Sequence, residues 1–389
     1  MSRKRRLLVL AGLLLVLVVV YVRLRPSRVS VNPDELLARG QEAIRRHDVP
    51  EALRTCRLLR DNGSREHSAL LRGEVYYRGK HFDEAEEELA RIDGDSPLFP
   101  QAATFFGLCR LQKYDLRLAE QLFRRALEVR PDAVEAHRGL ADVYVALGAM
   151  SRALEAMEAV ARLDPADGRP WLFMGNFYAD VGLRAEAVQA YENAVARAAD
   201  LESAAQARLG LAESLIKFGD HARAFRVLSE LPPDKADAPQ AVVLRAEGLA
   251  REGQLTEAER LLARLLDGPA PPPAVLTTAG RVAFDAEKYD RAAILLERAA
   301  ALDPADYAAN YHLAQAYARL GRADDARRQQ TQADRIQSDL RRMSQLTDQA
   351  GARPWDASVR RQLAEVTRRL GKSDIAEKWE RAARSCPTS

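Results

Sequence analysis

Apolar side chains recur at helical spacing along almost the whole chain, and the pattern restarts about every 34 residues. In one cycle Leu140 and Tyr144 lie on one stripe, Gly148 interrupts it, and Leu154 and Met157 begin the next stripe. Each stripe suits a helix of about three turns, and each break is short enough for a tight turn. The pattern therefore predicts an all-α chain built from repeated pairs of antiparallel helices.

Small residues mark the places where the two helices of each pair approach. Ten units start at residues 33, 66, 100, 134, 168, 205, 239, 273, 307 and 357. Position 20 of every unit is alanine: Ala52, Ala85, Ala119, Ala153, Ala187, Ala224, Ala258, Ala292, Ala326 and Ala376. Position 8 is glycine or alanine in all ten: Gly40, Gly73, Gly107, Ala141, Gly175, Ala212, Ala246, Gly280, Ala314 and Ala364. Because small side chains let helix axes cross closely, both positions are expected in the core.

Glycine and proline mark the helix ends. Position 15 is glycine in six units: Gly148, Gly182, Gly219, Gly253, Gly321 and Gly371. A glycine just past a helix adopts the left-handed conformation that ends it. Position 32 is proline in four units: Pro97, Pro131, Pro165 and Pro304. Proline disfavours helix at the residue before it, so the second helix should close there.

These features resemble the tetratricopeptide repeat, whose signature includes Leu-Gly at positions 7 and 8, Tyr at 11, Ala at 20 and 27, and Pro at 32. The stretches that match best read FFGLCRLQKYDLRLAEQLFRRALEVRPD and WLFMGNFYADVGLRAEAVQAYENAVARA. The resemblance covers about residues 33–389. It implies a right-handed α-solenoid of about ten helix-turn-helix units, each packed only on its neighbours.

The resemblance also implies a binding groove, because the family's first helices line a concave face with positions 2, 5, 9, 12 and 13. On this chain those positions give a set called here the groove wall: Arg138, Asp142, Arg169, Leu172, Asn176, Asp180, Glu213, Lys217, Glu247, Arg251, Arg281, Tyr311, Gln315 and Arg319. The wall carries both charge signs and few aromatic residues. It favours a protein or peptide partner recognised by hydrogen bonds and alternating charge.

The first residues of the chain predict a membrane anchor. Residues 1–6 form a basic head, residues 7–22 are apolar throughout from Leu7 through Leu14 to Val22, and residues 23–32 form a linker. Arg6 and Arg23 flank the apolar stretch and can reach the interface, which extends a span of roughly 24 Å. A cleaved signal peptide is the alternative, but the small-residue cleavage pattern is missing after Val22. The cationic head favours a cytoplasmic N-terminus and a repeat body on the extracytoplasmic, periplasmic side.

The rest of the chain divides into units one to nine over residues 33–340, a helix extension and loop over 341–356, and a capping unit over 357–389. Between Gly321 and Gly351 there is no glycine or proline, and Ile336, Leu340 and Met343 keep helical spacing. We therefore expect one long helix that packs on the end of the array. The alternative is self-association through residues 324–350.

Charge and motifs argue against an enzyme. The chain has 59 Lys and Arg and 56 Asp and Glu, but seven of the cations and none of the acids lie in residues 1–28. The mildly acidic remainder does not favour nucleic acid binding. The Gly-Lys-Ser at Gly371 lacks the upstream glycine and strand of a phosphate loop. The six histidines are scattered without metal-ligand spacing, so we expect no metal and no cofactor.

The sequence thus predicts a non-enzymatic scaffold that is tethered to a membrane and binds protein or peptide partners in its groove. By analogy of architecture, the setting is envelope assembly, secretion or polysaccharide export. Two alternatives stay open. One is a regulatory subunit of a membrane enzyme that faces the cytoplasm. The other is a carbohydrate- or lipid-binding solenoid, which should line its groove with exposed aromatic side chains.

Overall fold

A computed structural model describes residues 32–387, and over that range the chain forms 21 α-helices and no strand. The chain divides into two compact bodies, and the boundary follows Gln112. The first body contains α1 Pro33–Arg45, α2 Val49–Asp61, α3 Arg65–Arg78, α4 Phe82–Leu89 and α5 Phe99–Gln112. The second body contains α6 Leu116–Val129, α7 Val134–Ala146, α8 Met150–Leu163, α9 Arg169–Asp180, α10 Arg184–Ala196, α11 Leu201–Phe218, α12 His221–Ser229, α13 Pro233–Ala236, α14 Pro239–Arg251, α15 Leu255–Leu266, α16 Pro273–Asp285, α17 Tyr289–Leu302, α18 Tyr307–Arg319, α19 Ala323–Ala352, α20 Ala357–Arg369 and α21 Ser373–Ser385.

Helices pair as the repeated small residues predict. Nine of the ten position-20 alanines are at most 1% exposed, and Ala326 is half-buried. At position 8, a Cβ added to Gly280 would lie 2.5 Å from Leu296 Cγ, and one added to Gly175 would lie 2.7 Å from the Tyr191 ring. A side chain cannot fit at such distances, so the small residue lets the partner helix fill the space.

The turn between the two helices of each unit keeps one backbone conformation. All six position-15 glycines have positive φ, between 69° and 88°. The other four units place His47, Lys80, Tyr114 and Glu287 at the same position, with φ between 58° and 62°. Left-handed backbone is unfavourable for these side chains, so the turn geometry is imposed by the packing of the two helices.

The helix after Gly321 continues from Ala323 to Ala352, which is 30 residues. Its buried residues, Ala333, Ile336, Leu346 and Ala350, follow the apolar spacing of the sequence. Ile336 and Leu346 share a core cluster with Val359 and Leu363 of α20. The long helix therefore joins unit nine to the C-terminal unit through a continuous core.

The anchor proposed for Leu7 to Val22 lies outside the described residues, as do Arg6 and Arg23. Within residues 32–387, every helix is too short or too polar to cross a bilayer.

Candidate protein-binding site

The groove wall lies on the first helices of units four to nine, which are α7, α9, α11, α14, α16 and α18. Arg138 is only 19% exposed because it pairs with Glu135, Asp164 and Asp167, at 2.8, 3.1 and 2.8 Å. Arg169 also donates to Asp167, from Nε at 2.9 Å. Burial would raise the pKa of Asp167, but the hydrogen bonds from Arg169 and the charge of Arg138 hold it below its usual range. These two arginines therefore brace the junction between units four and five.

Two other members of the wall are held by the fold. Asn176 Oδ1 accepts a hydrogen bond from the Tyr191 hydroxyl at 2.8 Å. Leu172 is half-buried and packs on the core cluster that contains Tyr191 and Leu211. Their side chains connect α9 to α10 and α11 as well as lining the wall.

Carboxylates on successive first helices remain open to solvent. Asp142 and Asp180 are both exposed, yet the protein around them raises the pKa of each through burial. The positive charge of Lys217 lowers the pKa of Asp180, whereas the negative charge of Glu213 raises it further. Glu213 and Lys217 form an ion pair of 2.7 Å on α11. An acid can therefore touch water here while the surrounding protein limits its hydration, which favours the approach of a cation.

The wall differs in units seven to nine, where its residues pair with one another or with aromatic rings. Glu247 and Arg281 form an ion pair of 3.2 Å between α14 and α16, whereas Arg251 is exposed. The Tyr311 ring stacks on that of Tyr307, with 5.6 Å between centroids. Gln315 is half-buried, and Arg319 lies 5.8 Å from the centre of the Tyr289 ring.

The aromatic side chains of the described part of the chain are at least partly buried. Every Trp and Tyr among residues 32–387 is buried or half-buried. A groove that holds sugars or lipids should present exposed rings, so this distribution favours a protein partner over that alternative. Over the same range, no three His, Cys, Asp or Glu side chains converge on a position that could hold a metal ion.

The second body closes on itself, which the repeat pattern does not indicate. Arg360 of α20 is fully buried, and its guanidinium donates four hydrogen bonds to backbone carbonyls. One goes to Leu147 O at the end of α7, at 2.6 Å, and another to Ala350 O near the end of α19, at 3.3 Å. The last carbonyls of a helix lack partners within it and carry partial negative charge. A single cation therefore satisfies two helix ends that lie far apart in the sequence.

Two tryptophans complete this contact, which we call the closing contact. Trp355 Nε1 donates to Glu120 at 3.0 Å, and the same carboxylate accepts from the Tyr144 hydroxyl at 2.7 Å. The Trp379 ring covers the turn at Gly148, where an added Cβ would lie 2.6 Å from it. Helices α6 and α7 of the second body and the turn at Gly148 are therefore in direct contact with the C-terminal part of that body.

The left-handed Tyr114 belongs to the closing contact as well. Its carbonyl accepts from Ser385 Oγ at 2.5 Å, and its hydroxyl donates to Lys378 O at 3.5 Å. The Arg381 guanidinium lies 4.8 Å from the centre of its ring. Glycine at this position would suit the turn better but could make none of the side-chain contacts, which explains the tyrosine.

Models of the tetratricopeptide repeat match residues 37–103, 110–177, 174–240 and 277–339. Together these ranges make up more than half of the chain. The chain belongs to the tetratricopeptide repeat family, whose domains bind peptide or protein partners.

Among known proteins, the chain is similar to human Superkiller complex protein 3, with 29% identity over 136 residues. That match covers 34% of this chain and 9% of the human protein, so the chain spans under a tenth of that relative. A solved tetratricopeptide repeat protein from Parabacteroides merdae is 17% identical, with a TM-score of 0.45 over 64% of this chain and 98% of that one. The Pseudomonas aeruginosa protein pilF is 21% identical, with a TM-score of 0.44 over 56% of this chain and 97% of that one.

Proposed function

We propose that this protein is a non-enzymatic scaffold that binds protein or peptide partners along the groove wall. The observation that carries the proposal is the set of carboxylates, Asp142 and Asp180 foremost, that stay open to solvent on successive first helices. Helices that are already packed present these groups without further ordering, so binding costs little conformational entropy. Lys217 and Arg251 add exposed cations farther along the wall.

Photo-crosslinking tests where partners bind. A benzophenone amino acid at Lys217 should capture protein partners, and the same residue at Ile294 serves as the control. Ile294 lies on a second helix and is 59% exposed, so it offers equal access outside the wall. Capture at position 217 that excess unlabelled partner suppresses, without capture at 294, is the expected result. Equal capture at both positions would contradict a binding wall.

We further propose that residues 7–22 tether the scaffold to a membrane, with the repeat body on the extracytoplasmic side. The apolar stretch from Leu7 to Val22 and the four cations before it support this placement. A tether raises the local concentration of the scaffold near membrane partners. This placement suits a role in envelope assembly, secretion or polysaccharide export.

Reporter fusions after residue 389 test the placement. An alkaline phosphatase fusion should be active and a cytoplasm-dependent reporter silent, and Leu14→Arg should release the protein from the membrane fraction. Activity of the cytoplasmic reporter alone would favour the regulatory subunit of a membrane enzyme instead. Leu201→Arg is the matched control, because Leu201 is exposed in the repeat body and should tolerate the same change.

A further inference from the structure

A cavity of about 600 Å³ lies between the start of α8, the end of α9 and the long helix α19. Met150, Phe177 and Val181 line one side, and Leu340 and Met343 line the other. Its volume falls within the range of ligand pockets. Val181 is 54% exposed, so the cavity leaves apolar surface in contact with water. Covering that surface with an apolar group would be favourable.

The apolar lining includes two methionines, Met150 and Met343, on opposite sides of the cavity. A methionine side chain is unbranched and polarisable, and it adapts to differently shaped apolar partners. Such a lining accepts a bulky aliphatic or aromatic side chain without requiring one fixed shape.

The charged side chains that line the cavity all carry the same sign. Asp180 and Asp348 belong to its lining, and no lysine or arginine does. Both aspartates are exposed, and Asp142 lies on the preceding first helix. An arriving cation would offset the limited hydration of Asp180 and Asp142, and the negative charge of Asp348 would attract it as well. The cavity is therefore complementary to an apolar side chain that has a positive charge beside it.

The cavity depends on the closing contact, because its two sides come from distant parts of the chain. Gly351 lies beside Ser151, with 3.4 Å between an added Cβ and the hydroxyl oxygen. Arg360 holds the end of α19 to the end of α7 through Ala350 O and Leu147 O. If this contact opened, Leu340 and Met343 would leave Phe177 and Val181, and the cavity would cease to exist.

We propose that this cavity docks a segment of a protein partner in which a bulky apolar residue is flanked by lysine or arginine, and that docking and closure stabilise each other. The proposal rests on the proposed scaffold function and names the partner chemistry at one part of the wall. Because closure forms the cavity, binding and closure are linked. The free energy by which a bound ligand stabilises the closed state equals the free energy by which closure strengthens binding.

Methyl NMR of the full chain in mild detergent, labelled with ¹³C-methyl methionine, tests the proposal. The chain has five methionines, so the spectrum is simple to assign by substitution. The probe is the peptide Ser-Lys-Leu-Leu-Lys-Ser with blocked ends. We expect Met150 and Met343 to shift and Met174, which is buried elsewhere, to stay in place. Equal shifts with Ser-Glu-Leu-Leu-Glu-Ser, or with Ser-Lys-Ser-Ser-Lys-Ser, would overturn the proposal.

Variants separate charge from closure. The double variant Asp180→Asn and Asp348→Asn should weaken binding of the peptide probe about fivefold at low salt. Asp334 lies on α19, as Asp348 does, but outside the cavity, so Asp334→Asn should leave binding unchanged. Arg360→Ala should abolish the methyl shifts with helical content retained. If that variant does not fold, Trp355→Phe is the alternative. It removes the hydrogen bond to Glu120 but keeps an aromatic ring, and it should weaken binding of the peptide probe measurably. If a variant in which the closing contact is shown to be open still binds the peptide probe at full strength, docking and closure are not coupled.

Other outcomes decide between occupants. Shifts of Met150 and Met343 that appear on concentrating the protein alone would identify a second copy as the occupant and overturn the proposal. If the methyl signals do not respond to the probe while crosslinks still form at position 217, the scaffold function stands and this docking site is wrong.

Discussion

Two kinds of helix contact hold the second body together, and they are built from different residues. Neighbouring units pack through small residues and aliphatic side chains, as where Leu296 fills the space beside Gly280. The closing contact instead uses a buried arginine, two tryptophans and a tyrosine, most of which hydrogen bond to backbone or to Glu120. The first kind recurs in every unit, whereas the second occurs at one place. Stacking therefore defines the fold, and the closing contact selects one arrangement of the stacked units.

The largest effect is expected within the stacking. Phe123 of α6 is fully buried, and its ring occupies the space beside Gly139 of α7. Phe123→Ala should lower the free energy of unfolding by about 3–5 kcal/mol. Chemical denaturation followed by circular dichroism measures it. Phe218→Ala, at a half-buried end of α11, should cost clearly less; equal losses would mean that burial does not set the energy.

The next effect concerns closure alone. Arg360→Ala leaves Leu147 O and Ala350 O without their donor and should cost about 2–3 kcal/mol. Hydrogen exchange should rise in α20, α21 and the end of α19 while α14 to α17 keep their protection. Arg298→Ala, at an exposed arginine, is the control. Uniformly faster exchange along the second body would show that closure and stacking are not separable.

Two left-handed residues sharpen the comparison. Glu287 is exposed with φ of 58°, so Glu287→Gly should relieve strain and stabilise the protein by about 0.5–1 kcal/mol. Tyr114→Gly relieves similar strain but removes the contacts with Lys378 and Arg381. It should therefore bring no gain, and exchange in α21 should increase. Thermal unfolding of the two variants measures the difference, and equal stabilisation by both would contradict a role for Tyr114 in closure.

The smallest expected effect is the pH dependence that Asp142 of the groove wall gives to protein stability. Burial raises the folded-state pKa of Asp142, so folding favours its protonated form. Its contribution to stability is most favourable at low pH and falls as pH rises through the unfolded and then the folded pKa. Asp142→Asn should therefore stabilise the protein at neutral pH by at most about 0.5 kcal/mol, since solvent screens an accessible carboxylate. The stabilisation by Asp142→Asn, measured by chemical denaturation, should vanish at acid pH. Stabilisation that persists at acid pH would show that the raised pKa of Asp142 is not its cause.

Much of the fold follows from the sequence because its determinants repeat. The alanines at position 20, the small residues at position 8 and the glycines at position 15 each mark a local packing or turn requirement. Tyr114 and Glu287 gave no such signal, since only the packing of the flanking helices forces them into the left-handed region. The uninterrupted apolar spacing from Ile336 onward likewise indicated the long helix.

The site was less accessible to sequence reasoning. The repeat positions assign Asp142 and Asp180 to the predicted wall, but they could not show that Arg138 pairs with three acids or that Asn176 accepts a hydrogen bond from Tyr191. Arg360 lies in the last unit and Trp355 in the loop before it, and their partners are more than 200 residues away. The closing contact occurs once and therefore adds nothing to the repeat pattern, so it could not be predicted from that pattern.

Distance measurement between spin labels at Arg117 and Lys378 tests closure most directly. Both residues are exposed near the closing contact, and the three native cysteines are buried, so introduced cysteines can be labelled selectively. Double electron–electron resonance on the full chain should give one short, narrow distance distribution that lengthens and broadens in Arg360→Ala. A long, broad distribution already present in the unsubstituted protein would contradict closure.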